Sequence, residues 1–269
     1  MSNIQLGFLG AGNMAEAIAR GLIKAGVLQP AEMIAADPEP GRRELFEQSL
    51  KIPTTHDNAA VVVAAPALLV AVKPQMFDKA LAPLGSLFGP HKLILSICAG
   101  ISTTHIAETV AAGTRIVRAM PNTPMLVGRG MAAVSAGPHA TPEDLAVAAR
   151  LLGAAAEVIT VPENLMDAVT AVSGSGPAYF FYLAELLGAA GAQVGLSEED
   201  AQRLARVTFE GAARLMAESR EDPATLRRKV TSPGGTTEAA IKTFEALGLP
   251  ATVAAAVKAA RDRGRDLGR

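Results

Sequence analysis

Short apolar runs alternate with longer amphipathic segments from the N-terminus to Val161. Short apolar runs bounded by turn residues are typical of buried strands, and the segments between them have helical spacing. The predicted strands are residues 4–9, 32–36, 67–72, 93–97, 115–119, 130–135 and 157–161. The predicted helices include residues 13–25, a charged helix through Gln48 and a helix capped by Thr141. This alternation predicts an α/β fold, a parallel sheet covered on both faces with right-handed crossovers.

The pattern changes after Val161, where no further strand is predicted. The predicted helices of this part are residues 163–172, 178–194, 198–218, 236–246 and 251–265. We therefore expect a domain boundary near residue 162, with an α/β domain over 1–162 and an all-helical domain over 163–269. The helix over 178–194 is apolar around nearly its whole circumference, so it must be buried in a core or against a second subunit.

Composition narrows the class of protein. The net charge of −1 over 269 residues gives no basic surface, so we expect no nucleic-acid partner. The single Cys98 excludes a disulfide framework, and the scattered histidines do not have the spacing of a metal site. The longest apolar stretch, residues 59–72, is interrupted by Pro66 and is too short to cross a bilayer. With no signal-peptide pattern at the N-terminus, these features predict a cytoplasmic protein without a membrane partner or a metal.

A glycine-rich turn directly follows the first predicted strand and opens the first helix. Its sequence, Gly10-Ala11-Gly12-Asn13-Met14-Ala15, matches the pattern G-x-G-x-x-A. In that pattern Gly10 permits the tight turn, Gly12 lets the backbone approach a pyrophosphate, and Ala15 allows close packing of helix on strand. The alternative is an ordinary tight turn of small residues. The strand–turn–helix context favours a dinucleotide site.

Asp37 ends the second predicted strand and bears on the choice of dinucleotide. An acid at this position typically accepts hydrogen bonds from the adenosine ribose diol and disfavours a 2′-phosphate, although an Asp-Pro turn explains it equally simply. Arg42 and Arg43 lie just beyond and could pair with a 2′-phosphate or be solvated helix charges. The sequence leaves NADH and NADPH about equally supported.

Two loops follow other strands of the same sheet and are candidates for further cofactor contacts. They are Ala71-Val72-Lys73-Pro74 and Cys98-Ala99-Gly100. The carboxyl ends of strands in such sheets form the ligand crevice. Lys73 is either a ligand contact or a solvated loop charge, and Cys98 is most simply a small buried residue rather than a nucleophile.

A second group of small and hydroxyl residues lies in the helical part. Ser232-Pro233-Gly234-Gly235-Thr236-Thr237-Glu238 opens a predicted helix, where free backbone N–H groups suit a small carboxylate; the alternative is a plain helix cap. Ser173-Gly174-Ser175-Gly176-Pro177 is either a turn facing a ligand or an elbow between two helices. Glu163 by its position is most simply a helix starter.

Five segments together resemble the pyrroline-5-carboxylate reductase family over almost the whole chain. They are the segments Gly7 to Ala15, Ala71 to Pro74, Arg118-Ala119-Met120-Pro121-Asn122-Thr123-Pro124, Ala171 to Tyr179, and Ser232 to Thr237. The resemblance implies reduction of Δ1-pyrroline-5-carboxylate to L-proline by NAD(P)H, the last step of proline biosynthesis. It also implies a Rossmann domain followed by a helical domain that forms an interleaved homodimer, often within a decamer.

The resemblance also implies roles for individual residues. Gly235, Thr236 and Thr237 would hold the cyclic imino acid, with the helix start at Gly234 binding its carboxylate and Thr237 hydrogen-bonded to the ring nitrogen. Val230 would line the pocket and Glu163 would lie near the substrate. Asn58 and the loop from Ala71 to Pro74 would touch the cofactor. Asp37 departs from relatives that favour NADPH, which often carry a small hydroxyl residue there.

Two rival interpretations have distinct signatures. A β-hydroxyacid dehydrogenase with this architecture relies on a lysine of the interdomain helix, and residues 163–194 contain no lysine. A dinucleotide-sensing scaffold would retain the glycine-rich turn without turnover. The glycine pair and Thr237 favour the enzyme. Hydride transfer to a protonated imine needs no strong general acid, which agrees with a predicted site that contains no candidate histidine.

Overall fold

The computed structural model describes residues 4–267, which form two compact units. The first contains residues 4–175 together with 260–267, and the second contains residues 176–259. The extreme ends of the two predicted domains, residues 1–3 and 268–269, lie outside the described residues.

An eight-stranded sheet forms the centre of the first unit. Its order is β3-β2-β1-β4-β5-β6-β7-β8. The strands are β1 (Leu6–Leu9), β2 (Met33–Ala36), β3 (Thr54–Thr55), β4 (Ala67–Val70), β5 (Leu93–Ser96), β6 (Arg115–Pro121), β7 (Gly130–Ala136) and β8 (Ala156–Thr160). The inner strands β1, β4 and β5 have apolar central residues with almost no exposure, as expected for strands buried on both faces, whereas β3 and β8 at the two sides of the sheet are partly exposed.

The sheet differs from the predicted parallel arrangement at one strand pair. Strands β1 to β6 are parallel, β6 and β7 are antiparallel, and β7 and β8 are parallel again. The connection from Pro121 to Gly130 contains only a short 3₁₀ turn, Thr123–Val127. A parallel crossover needs about a dozen residues or more, so this connection can only return the chain in the opposite direction.

Helices cover both faces of the sheet, as predicted. The helices are α1 (Asn13–Lys24), α2 (Pro40–Leu50), α3 (Asn58–Ala64), α4 (Phe77–Leu81), α5 (Thr103–Thr109), α6 (Pro142–Gly153) and α7 (Met166–Val169). One core cluster joins α1, α2 and α6 to the sheet through residues such as Phe8, Ile18 and Leu152. The other joins α3, α4 and α5 through Val61, Phe77 and Ile106. Because β1, β4 and β5 are parallel neighbours, their carboxyl ends lie together at one edge of the sheet.

The segment Ser173 to Pro177 is an elbow between two helical stretches. A π-helical turn at Thr170–Gly174 continues α7 almost directly into the next helix. Asn122, from the Met-Pro-Asn-Thr-Pro segment, donates its side-chain amide to the Ser173 hydroxyl at 3.3 Å and accepts the Met131 N–H at 2.9 Å. The segment therefore joins two helices, and its facing a ligand stays a prediction.

The second unit is entirely helical in the part that the structure describes. It contains α8 (Gly176–Gln193), α9 (Glu198–Ser219), α10 (Pro223–Lys229), α11 (Thr236–Ala246) and the beginning of α12 (Leu249–Leu267). Helices α8 and α9 approach closely at Gly188 of α8: a Cβ built there would lie 2.6 Å from the side-chain amide of Gln202 on α9. The sequence pattern did not predict α10, which begins where the Asp222 carboxylate accepts the Thr225 N–H at 3.0 Å.

Several large apolar side chains of α8 are exposed in the single chain. Phe180 is 60 % exposed, Phe181 70 % and Tyr182 60 %. Among residues 4–267 no single helix is long and apolar enough to cross a membrane. Helices α11 and α12, which are bent relative to each other, would together be long and apolar enough by length and composition alone.

Candidate active site

The glycine-rich turn lies where β1 ends and α1 begins, pressed against the neighbouring loop. Gly10 has φ +98°, a conformation that side-chain-bearing residues rarely adopt. A Cβ on Gly10 would lie 2.9 Å from the carbonyl oxygen of Ala71. The Ala71 N–H also donates to the Leu9 carbonyl at 2.8 Å. The turn and the Ala71 loop are therefore in direct contact, as their positions after adjacent strands predict.

Gly12 is the N-cap of α1 and faces open space. A Cβ built on Gly12 would meet nothing within 4 Å among the described residues. A glycine offers no side-chain oxygen to the first N–H groups of the helix, which begins at Asn13. A helix start with free N–H groups and room above it is a fitting place for the pyrophosphate of a dinucleotide.

Asp37 is fixed beside this turn. Its Oδ2 accepts the Ala11 N–H at 2.7 Å, and its Oδ1 accepts the Glu39 N–H at 2.9 Å. Its carboxylate therefore joins the end of β2 to the glycine-rich turn. This is the location that the ribose prediction requires, at the carboxyl edge next to β1.

Arg42 and Arg43 are both hydrogen-bonded within the protein. Arg42 donates from Nε to the Ala11 carbonyl at 2.6 Å and pairs with Glu16 at 2.9 Å. Arg43 donates to the Asp37 carbonyl at 2.7 Å. Arg42 thus supports the glycine-rich turn, and Arg43 supports the loop that carries Asp37.

The two further candidate loops also lie at the carboxyl edge. Lys73 is exposed and precedes a 3₁₀ turn, Pro74–Met76. Cys98 is buried, its Sγ lies 3.3 Å from the Val72 carbonyl oxygen, and burial raises the pKa of its thiol to about 11. The thiol is therefore protonated at neutral pH, which agrees with a packing role and not with a nucleophile. Gly100 has φ +78° and ends this loop.

Asn58 is the first residue of α3, following Asp57, whose side chain accepts the Ala59 N–H at 2.9 Å. Helix α3 connects the parallel strands β3 and β4, so its first residue lies at the carboxyl edge with the glycine-rich turn. The first unit thus gathers the predicted cofactor residues at one edge of the sheet.

The predicted substrate residues other than Glu163 lie in the second unit, and all of them except Val230 lie at the start of α11. Gly234 has φ +72°, Gly235 is the N-cap, and α11 begins at Thr236. Glu238 accepts the Gly234 N–H at 2.9 Å, and this bond together with Lys242 lowers the pKa of the Glu238 carboxyl. The Gly235 N–H donates to the Ser232 carbonyl at 3.0 Å. The N–H groups of Gly234 and Gly235 are thus taken within the turn, and the first N–H groups of α11, from Thr236 onwards, remain for a carboxylate.

Val230 and Glu163 have quite different surroundings. Val230 follows α10 and is 64 % exposed. Glu163 lies in the first unit, where its Oε1 accepts the Thr103 N–H at 2.7 Å and its Oε2 accepts the Thr103 hydroxyl. Arg118 pairs with the same carboxylate at 3.4 Å. Sequence reasoning missed these partners.

Comparison with known proteins decides the family. Residues 163–267 match the family model described as pyrroline-5-carboxylate reductase dimerisation, and residues 5–100 match one described as NADP oxidoreductase, coenzyme F420-dependent. A pyrroline-5-carboxylate reductase from Synechocystis is 42 % identical over 268 residues, covering 99 % of both chains. The chain belongs to the pyrroline-5-carboxylate reductase family. The resemblance drawn from the five sequence segments is therefore confirmed.

Solved structures of the family agree with this fold. A pyrroline-5-carboxylate reductase from Coxiella burnetii superposes with a TM-score of 0.92 at 34 % identity and covers 99 % of both chains. The Plasmodium falciparum enzyme, whose structure has NADP bound, gives 0.86 at 29 % identity over the full length of both. The predicted fold class is confirmed, and as a member of this reductase family the chain is an NAD(P)H-dependent oxidoreductase.

Within residues 4–267 no cluster of three or more His, Cys, Asp or Glu side chains is placed to hold a metal ion. The polar groups gathered at the carboxyl edge of the sheet are instead backbone N–H donors and the Asp37 carboxylate, which accepts. These suit the pyrophosphate and ribose of the reductase's dinucleotide.

Proposed function

We propose that this reductase converts Δ1-pyrroline-5-carboxylate to L-proline with NAD(P)H as reductant, the last step of proline biosynthesis. The observation that carries the proposal is the match to a curated reductase along 99 % of both chains. The glycine-rich turn with its open helix start supports it, because a reductase needs a dinucleotide site.

The dinucleotide would be held at the carboxyl edge of the sheet. Gly10, Ala11, Gly12, Asn13 and Met14 would contact the pyrophosphate through the start of α1. Asp37 would accept from the adenosine ribose, and Asn58 would flank it. The nicotinamide half would lie along the remaining candidate loops, Ala71, Val72, Lys73, Pro74, Cys98, Ala99 and Gly100. When bound, the reduced cofactor supplies the hydride.

The start of α11 would hold the cyclic imino acid. The free N–H groups at Thr236 and Thr237 would bind the carboxylate, since a helix N-terminus favours an anion. The Thr237 hydroxyl would orient the ring nitrogen. The substrate binds with this nitrogen already protonated, so adding a hydride to the imine carbon, which becomes C5 of proline, completes the secondary amine without a proton donor from the protein. The chain's contribution is then mainly positioning.

Gly234 and Gly235 would shape the turn, and Val230 would line the pocket on its exposed face. Glu163 would lie towards the substrate. Its carboxylate oxygens are both engaged by Thr103, so we assign it a supporting role rather than proton transfer.

We propose that the chain acts as a homodimer in the cytoplasm, formed through the helical domain, and that such dimers can assemble into a decamer. The exposed aromatic residues of α8 and the match of residues 163–267 to a dimerisation model support the dimer. We propose residues 1–162 as the dinucleotide-binding domain and 163–269 as the substrate and dimerisation domain.

A substrate panel tests the proposed activity. Purified protein is assayed with NADH and with NADPH against pyrroline-5-carboxylate and its six-membered homologue, and with the oxidised cofactors against a β-hydroxyacid. The product of pyrroline-5-carboxylate is identified by chiral chromatography. L-Proline formed from pyrroline-5-carboxylate supports the proposal. Dinucleotide binding without turnover of any substrate would instead support a sensor.

A further inference from the structure

A buried arginine lies in β6, close to the edge where the predicted cofactor loops converge. The side chain of Arg118 is 7 % exposed and pairs with Glu163 at 3.4 Å and with Asp167 at 3.6 Å. In the sheet, Arg118 is the register partner of Ser96, the last residue of β5. A buried charge of this kind is strongly coupled to its partners, because removing one leaves the other unpaired away from water.

Glu163 transmits this interaction to the loop after β5. Its carboxylate accepts both the N–H and the hydroxyl of Thr103, the first residue of α5. The segment from Cys98 to Ser102 runs directly into this residue. The residue that follows the loop is thus bonded to Glu163, and the Glu163 carboxylate in turn pairs with Arg118.

Asp167 connects the same arginine to the end of the chain. A Cβ on Gly264 would lie 3.4 Å from the Asp167 carboxylate, so the last turns of α12 pack against it. At the end of that helix, the Leu267 Cβ would lie 3.3 Å from a Cβ on Gly100. The loop therefore contacts the end of α12 at Gly100 and is followed by Thr103, which is bonded to Glu163. Asp167, which the end of α12 contacts, and Glu163 both pair with Arg118.

We propose that Arg118 is a positioning residue for the dinucleotide, which fixes the loop from Cys98 to Ser102 through Glu163 and Asp167 without touching the cofactor. This rests on the proposed function in one respect, namely that Cys98, Ala99 and Gly100 border the dinucleotide site. A role limited to stability would change the melting temperature but not the affinity of the folded protein.

The chain offers a matched control on the same strand. Arg115, at the beginning of β6, pairs at 2.6 Å with the buried Asp144 of α6. It also links a strand to a buried carboxylate, but it lies at the opposite edge of the sheet from the cofactor loops. Arg115→Gln should destabilise the protein to a comparable degree and leave dinucleotide affinity within about twofold.

The test measures NADH and NADPH dissociation constants by fluorescence without imine, followed by KM for each substrate. We expect Arg118→Gln to weaken dinucleotide binding about tenfold or more, as for loss of a buried charge partner, with Arg118→Lys restoring part of it. KM for the imine should change less than KM for the dinucleotide. Thr103→Val provides a milder variant should Arg118→Gln fail to fold, with about threefold weaker binding expected from loss of one hydrogen bond.

Unchanged dinucleotide affinity in a folded Arg118→Gln, or in Thr103→Val where that is the variant that folds, would overturn the proposal. So would equal weakening in Arg115→Gln, since that would indicate general loosening. Binding is measured without imine, so a wild-type protein that binds dinucleotide but does not reduce pyrroline-5-carboxylate overturns only the proposed activity. A wild-type protein that binds no dinucleotide would overturn both.

Discussion

Replacing Asp37 with asparagine should shift the reductase towards NADPH. The carboxylate accepts one N–H on each oxygen, from Ala11 and Glu39, so each oxygen has a second lone pair for a ribose hydroxyl. Asparagine has nearly the same shape and can still accept the Ala11 N–H. The substitution therefore removes the charge and keeps the bond to the turn, whereas the side-chain NH2 group cannot accept the Glu39 N–H, so that bond is lost.

The magnitude follows from two contributions. A hydrogen bond to a charged acceptor is worth about 1.5–3 kcal/mol, and asparagine weakens the one made to the NADH ribose. Repulsion between the carboxylate and a 2′-phosphate about 4 Å away lies between about 1 kcal/mol in bulk water and about 4 kcal/mol near a protein surface, and the substitution removes it for NADPH. Allowing for screening by salt, a change of about 2 kcal/mol corresponds to about thirtyfold in the NADPH/NADH ratio of kcat/KM.

Steady-state kinetics with both cofactors at fixed ionic strength measure this ratio. Glu39→Gln is the matched control, because it removes the same charge two residues further along, and it should change the ratio by less than about twofold. A ratio that stays within about twofold of wild type in a folded Asp37→Asn would refute the placement of the ribose beside Asp37.

Three further predictions concern separate features. Gly12→Ala should keep the melting temperature but weaken dinucleotide binding about tenfold or more, because a methyl group there would enter the open space above the helix start. Gly10→Ala should lower the melting temperature by about 5 °C or more, because Gly10 has φ +98° and its Cβ would lie 2.9 Å from the Ala71 carbonyl oxygen. Equal changes of both quantities in the two variants would contradict this. Thr237→Ala should lower kcat about ten- to a hundredfold, whereas the control Thr243→Ala on the same helix should change kcat little. An unchanged kcat and KM in Thr237→Ala would remove Thr237 from the mechanism. Cys98, with its pKa raised to about 11, should react with a thiol reagent at pH 8 far more slowly in the folded protein than in the denatured one; similar rates would show that the thiol is not buried.

The dinucleotide part of the site could be predicted because its determinants are local. The turn from Gly10 to Ala15 carries its own conformation, and the positions of Asp37 and of the loop at Ala71 follow from where parallel strands end. The reversal of β7 was missed because hydrophobic pattern gives a strand but not its direction. The short connection after Pro121 was the available signal.

Other features arise from contacts between distant segments. Glu163 is bound by Thr103 and Arg118, which are 60 and 45 residues away, and no spacing in the sequence reports such a contact. Likewise, the Glu238 carboxylate takes the Gly234 N–H, so the donors left for an anion differ from those expected. Helix α10, in contrast, had a readable start in Asp222-Pro223.

The central claim is that this chain delivers hydride from a reduced nicotinamide to the imine carbon of pyrroline-5-carboxylate, which becomes C5 of proline. The most direct measurement uses the two stereoisomers of cofactor deuterated at C4 of the nicotinamide, with mass spectrometry of the proline formed. The account predicts L-proline carrying one deuterium at C5 from one of the two isomers. Unlabelled proline from both isomers, or no proline from a folded protein that binds the dinucleotide, would contradict it.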